Sequence, residues 1–158
     1  MPDNDIAHLL STASGRSLTT QELAHFNDQL EGLEQLLGIN YVHIGPSGCT
    51  ARLQLNRSHT QPFGLTHGGV YQTLVESLGS VAGAIAARAA VVGMSNSTEM
   101  IRPSKPGDVL TASTSVVHCG ARTHIIHVDI RAQRPGDGKE STRVAFGTLR
   151  TTLPARPR

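Results

Sequence analysis

Tryptophan is absent from the 158 residues, and the few phenylalanines and tyrosines bring aromatics to 3%. Bases stack on such side chains, so a nucleic-acid platform is not expected. Charge of one sign is equally scarce: the formal net charge is +2 and the basic residues are dispersed, without the concentrated footprint of a DNA or RNA binder. No apolar run approaches the roughly 20 residues of a membrane span, and the start, MPDNDIAHLL, lacks the basic and apolar stretches of a signal peptide. These absences lead to the expectation of a soluble, cytoplasmic protein with neither membrane nor nucleic acid as partner. The two cysteines, Cys49 and Cys119, lie too far apart in sequence to suggest a disulfide framework and read as buried small hydrophobes.

What remains is a chain of one-domain size with clear periodicities. Leu23, Phe26, Leu30, Leu33 and Leu37 recur at steps of three and four, so one helix is predicted over 20–37. Thr19 with Glu22 fits a capping box at its start, and Gly38 fits a stop at its end. Two strand-like runs, 39–44 and 49–56, flank Pro46-Ser47-Gly48 and read as a hairpin. A second helix follows, and then four runs rich in Val, Ile and Thr at 91–101, 109–118, 123–133 and 141–153, separated by turn residues. Two strands, a long helix and four strands predict an α+β fold in which an antiparallel sheet wraps one central helix. The expected organisation is a polar segment and helix over 1–37, a domain over 38–153, and a short disordered tail over 154–158.

The central helix carries the chemistry. In THGGVYQTLVESLGSVAG, Val70, Leu74, Leu78, Val81 and Ile85 fall on one side at 100° per residue and should pack on the sheet. The other side collects Gly69, Thr73, Glu76, Ser80, Gly83 and Ala87, all small except the glutamate. Surface helix faces are normally long and polar, and glycine inside a helix costs about 1 kcal/mol relative to alanine. A small-residue face of this kind suits close approach of another backbone or an extended ligand. Ser80 lies one turn beyond Glu76, within reach of the carboxylate or of a water beside it.

At the helix start, Gly68 and Gly69 present N–H groups without helical partners, and the dipole adds positive character. Acyl transfer requires donors where negative charge develops on a carbonyl oxygen and a carboxylate that attacks or activates water. Gly68 and Glu76 are eight residues apart, however, or about 12 Å along a helix, too far to serve one carbonyl. Two antiparallel copies of the helix would bring the Gly68 end of one to Glu76 of the other, which predicts a homodimer with two shared sites.

The stretches QPFGLTHGGVYQTLVESLGSVAG and VVGMSNSTEMIRPSKPGDV resemble the hot-dog thioesterases, and the strand order agrees over 38–153. The nearest resemblance is to the Arthrobacter-type 4-hydroxybenzoyl-CoA thioesterases and the phenylacetate-pathway and enterobactin proofreading thioesterases. A glutamine, a His-Gly-Gly and a helix glutamate nine residues after the histidine together make the match specific. The resemblance implies an acyl-CoA thioesterase acting on an aryl- or medium-chain substrate, in keeping with aromatic-compound catabolism, with no cofactor because CoA belongs to the substrate. It implies Glu76 as nucleophile or general base, Gly68 N–H and Gln61 as donors to the thioester carbonyl, His67 as a positioning residue and Ser80 as the hydroxyl orienting water. For the substrate it implies Arg102 as a phosphate contact, with Arg122 and Thr123 in the turn where relatives use serine or threonine. Gly69 and Thr73 complete the candidate substrate face. Family members assemble as dimers of dimers, stacked through helices or through sheets. A non-catalytic acyl-CoA sensor and a hot-dog dehydratase are the alternatives, the first disfavoured by Glu76 and Ser80, the second by a glutamate where a histidine base is needed.

Other signals point nowhere. Eight histidines suggest metal, but His124 and His127, three apart on a strand, face opposite sides and cannot chelate together. Cys119 has no identifiable base beside it, and Ser77 and Ser80 lack a strand-to-helix nucleophile elbow. Asn96 either lines the acyl pocket or ties the sheet together.

Overall fold

The computed structural model describes residues 3–155. Three short helices come first: α1 (Asp3–Ala13), α2 (Thr20–Asp28) and α3 (Gly32–Leu37). The hairpin β1 (Asn40–Gly45) and β2 (Gly48–Gln54) leads through a single 3-10 turn to α4 (Gly68–Ala87). The chain ends with β3 (Val92–Met100), β4 (Val109–Cys119), β5 (Thr123–Gln133) and β6 (Thr142–Thr152). All pairings are antiparallel, in the order β1-β2-β4-β5-β6-β3, and α4 lies across strands β2 to β6. This is the expected α+β hot-dog arrangement.

Period-two alternation fixes which side of the sheet meets the helix. In β5, His124, Ile126, Val128 and Ile130 are buried, whereas Thr123, Ile125, His127 and Asp129 between them are only half-buried. The two histidines therefore do point to opposite faces.

The predicted helix over 20–37 is instead two. Gln29 caps α2, and Gly32 enters α3 at a φ of 61°, in the left-handed region that breaks a continuous helix. The leucine periodicity survives the break because both pieces cover the same core, in which Phe26 and Leu30 are buried; Leu33 is left 55% exposed. The capping box is present: Thr19 Oγ1 accepts from Glu22 N–H at 3.3 Å, and Glu22 accepts in return from Thr19 N–H at 2.8 Å. The Arg16 guanidinium and this N–H hold the Glu22 carboxyl down to about 2. Gly38 ends α3 at a φ of 75°, as expected of a stop.

The polar beginning also forms a helix, α1, whose Leu9 and Ala13 join the common core. Its alternating polar residues hid a narrow apolar edge. At the other end, the predicted tail over 154–158 has no regular structure at Pro154 and Ala155, and 156–158 lie outside the described residues.

On α4 the buried stripe is broader than one row. Val70, Leu74, Leu78 and Ile85 are buried as expected, but Val81 is half-buried and Tyr71, Val75, Gly79, Ala82 and Gly83 are buried too. A curled sheet covers the helix from several sides, so more than a single stripe meets strands. Gly83 therefore does not belong to an open face: a Cβ there would lie 3.0 Å from Thr151 Oγ1.

Candidate active site

The chain enters α4 through a tightly bonded loop. Gln61 N–H donates to Leu65 O at 2.9 Å, Gly64 N–H donates to Gln61 O at 2.9 Å, and Thr60 bridges to Thr66. The Gln61 side-chain oxygen accepts from Phe63 N–H. Its Nε2, which can only donate, has no partner among the described residues. That is the polarity a carbonyl oxygen requires.

Two buried groups anchor the loop. His59 Nδ1 accepts from Asn56 N–H at 3.0 Å, so Nε2 carries the proton and donates to Leu37 O at 2.9 Å. Its carbonyl receives His67 N–H at 2.8 Å. On the other side, Ser104 Oγ bonds Thr66 Oγ1 at 2.7 Å and Tyr71 OH at 2.6 Å, all three residues being buried. His59, Ser104, Thr66 and Tyr71 escaped the sequence reading; Ser104 lies 33 residues from Tyr71 in sequence, and no local pattern announces their contact.

His67 is the N-cap of α4, in extended conformation, and its Nδ1 accepts from Gly69 N–H at 2.9 Å. This leaves the Nε2 tautomer of the neutral ring facing outward. Val70 N–H donates to His67 O at 3.0 Å. With Gly69 and Val70 satisfied, Gly68 N–H stands without a hydrogen-bond partner among the described residues. The helix dipole adds to its positive character. The Met100 side chain lies over Gly68, where a Cβ would come within 2.9 Å of its methyl.

Glu76 is exposed midway along the helix, yet its carboxylate is not free. Asn96 Nδ2 on β3 donates to Glu76 Oε2 at 3.2 Å and to Gln72 O at 3.0 Å. The other oxygen lies over Gly93, so close that a Cβ there would stand 2.3 Å from Oε1. Asn96 thus tied to the helix carboxylate was legible in sequence only as a pocket or sheet residue. Ser80 is half-buried and makes no hydrogen bond to Glu76 among the described residues. Thr73 turns its hydroxyl back onto Gly69 O at 2.8 Å.

The arginines are widely separated. Arg102, just beyond β3, donates from Nη1 to Arg143 O at 3.0 Å and lines a cavity of about 350 Å³ with Arg134 and Lys139. Arg122 lies in the β4–β5 turn, where its carbonyl accepts from Leu153 N–H at 3.1 Å and its side chain extends into solvent. They sit at opposite ends of the 11-residue strands β5 and β6, a span of about 30 Å. Thr123 is half-buried beside Arg122, its carbonyl receiving Gly120 N–H at 2.9 Å. Within one chain these groups do not surround a common ligand. A larger cavity of about 520 Å³ opens between α1, the α2–α3 break and the end of α4, away from Glu76.

A family model described as the thioesterase superfamily matches residues 63–139. The 1,4-dihydroxy-2-naphthoyl-CoA hydrolase of Escherichia coli (strain K12) is 33% identical over 96 residues, covering 60% of this chain and 70% of that protein. A Haemophilus influenzae thioesterase superposes with a TM-score of 0.71 at 25% identity, over 85% of this chain and 90% of its own. The E. coli PaaI protein of the phenylacetic acid degradation operon has a TM-score of 0.75 over 92% of this chain and 96% of its own; at 20% identity it speaks for the fold alone. With the matched segment running from the end of the loop through the helix start and the helix carboxylate, and with the E. coli hydrolase matched over 70% of its length, the chain belongs to the thioesterase superfamily and is a thioester hydrolase.

Proposed function

We propose that the chain hydrolyses the thioester of an aryl- or medium-chain acyl-CoA, using two composite sites of a homodimer. The observation that carries this reading is the pairing of a Gly68 N–H at the start of α4, unpartnered among the described residues, with an accessible carboxylate, Glu76, further along the same helix. Gly68 N–H and Gln61 Nε2 donate to the thioester carbonyl oxygen, stabilising the charge that develops there. Glu76 either attacks the carbonyl carbon or takes a proton from the attacking water; in both routes the C–S bond breaks and water ends divided between the free acid and the CoA thiol. His67, by accepting from Gly69, holds the first turn in place. The aromatic substrate named for the E. coli relative favours an aryl group.

The dimer is supported by β3. Among the described residues this strand pairs only with β6, and along it Val92, Met94 and Met100 are 52%, 56% and 46% exposed. An edge strand with unpaired backbone groups and exposed Val92, Met94 and Met100 at its two ends is a pairing surface, and a second β3 related by a two-fold axis covers it. The same axis sets the α4 helices antiparallel and brings the Gly68 end of one chain toward Glu76 of its partner. It also carries the partner's Arg122 toward the end of the sheet that bears Arg102, so that both arginines reach CoA phosphates by bidentate bonds. Two such dimers pair into a tetramer, and the cytoplasm, where acyl-CoA is found, is the site of action.

Glu76→Ala and Glu76→Gln each lower turnover on the order of 10²–10⁴-fold while leaving the dimer intact. Hydrolysis of benzoyl-, phenylacetyl- and hexanoyl-CoA by the purified variants, with free CoA quantified by chromatography, checks this. Unchanged turnover in either variant removes the carboxylate from the mechanism.

A further inference from the structure

The geometry assigns to β3 a built seat for the Glu76 carboxylate, with Asn96 as the positioning residue that aims it; this rests on the catalytic reading of Glu76 above. Gly93 and Asn96 are three residues apart and would point to opposite faces of an unbroken strand. The register of β3 on β6 shifts between Gly93 and Ser95: Gly93 pairs with Thr151, and Asn96 with Leu149. Thr151 and Leu149 are both fully buried on the helix side. The bulge at Met94 therefore turns Gly93 and Asn96 to the same face, toward α4, a re-aiming that bulges beside active sites commonly perform.

Each part of the seat is specified. Asn96 Oδ1 accepts from Thr98 Oγ1 at 2.8 Å, which fixes the amide so that Nδ2 is the end facing the helix. The two Nδ2 protons are then both used, on Gln72 O and on Glu76 Oε2. Thr98 itself fits because Gly147 opposite has no side chain; a Cβ there would lie 3.0 Å from Thr98 Oγ1 and 2.8 Å from Val75 Cγ2. Gly93 completes the seat: a Cβ there would stand 2.3 Å from Oε1 and push the carboxylate aside. A glutamate on an exposed helix face would otherwise sample several rotamers. Held at one oxygen by an amide and resting on bare backbone at the other, it presents a single orientation, the condition under which positioning contributes to rate.

Asn96 acts through Glu76 and not on substrate, and this separates it from a pocket-lining or merely structural residue. Asn96→Ala should lower kcat about 10- to 100-fold with KM changed less than about twofold. Asn96→Asp, of similar shape, replaces the donor with a second carboxylate facing Glu76 and should lower kcat at least as far. In the Glu76→Ala background, Asn96→Ala should have no further effect, because two residues acting as a unit are non-additive. The measurement is kcat and KM for the four chains of this cycle, and for Asn96→Asp, on the best substrate among benzoyl-, phenylacetyl- and hexanoyl-CoA. Thermal unfolding is followed alongside to verify folding. An unchanged kcat in Asn96→Ala, or an equal loss in both backgrounds, overturns the assignment while leaving a catalytic Glu76 standing. A fully active Glu76→Ala chain refutes the catalytic reading itself.

Discussion

Glu76 illustrates what a single residue's surroundings decide. Its neighbours on the helix face suggested an acid among small residues, and the structure adds that the acid rests on the backbone of Gly93 and the amide of Asn96. The first part was legible because residues three and four apart on a helix are neighbours in space; the second was not, because it depends on a bulge in a strand some 20 residues away. The cysteines show the same divide. Cys49 is buried as expected, and desolvation raises its thiol to about 12, whereas Cys119, also expected inside, is exposed near the last turn of α4, where its thiol meets Ala86 O at 3.5 Å. Hydrophobicity alone does not reveal that the sheet outruns the helix at this point. Since the thiolate is the reactive form, an alkylating reagent at neutral pH should modify one cysteine in the native protein, Cys119, and both after unfolding. Mass spectrometry of the labelled peptides checks this, and rapid native labelling of Cys49 would contradict the burial.

At the scale of elements, the strands and α4 were readable almost to their ends, because Val-, Ile- and Thr-rich runs between turn residues mark the strands and a helical stripe marks α4. Breaks were harder: the division of α2 from α3 depends on Gly32 and on a core that both pieces share, so the leucine spacing runs through it unaltered. The helix glycines carry a different lesson. Gly79, buried and facing the sheet, was passed over in favour of Gly69 and Gly83, yet it is packed tightly against β6: a Cβ there would stand 2.6 Å from Leu149 Cβ and 2.7 Å from its Cδ2. Replacing it by alanine improves helix propensity by about 1 kcal/mol. The overlap with Leu149 involves a Cβ fixed to the backbone and requires the helix to move, a loss of about 1–3 kcal/mol. Gly79→Ala should therefore destabilise the fold, and a denaturant midpoint equal to or above that of the parent chain would show that the helix has room to shift.

For the whole molecule, the helix length imposes the central constraint. Gly68 and Glu76 stand on one continuous 20-residue helix, about 12 Å apart along its axis, which is why the proposed reading takes one of the two from the partner chain. The edge position of β3 and the separation of Arg102 from Arg122 agree with the dimer proposed above. The direct test is hybrid-dimer complementation between Glu76→Ala and Gly68→Pro. Proline at the first helical position removes the N–H in question while suiting the helix start. His67 before it is already extended, with φ −66° and ψ 137°, and a Cβ at Gly68 meets the flexible end of Met100. Each variant alone should be inactive. After subunit exchange at equal concentrations, half the dimers are mixed and each mixed dimer holds one intact site, so about a quarter of the parent activity should return. No recovery, with mixed dimers verified, would contradict sites shared between subunits.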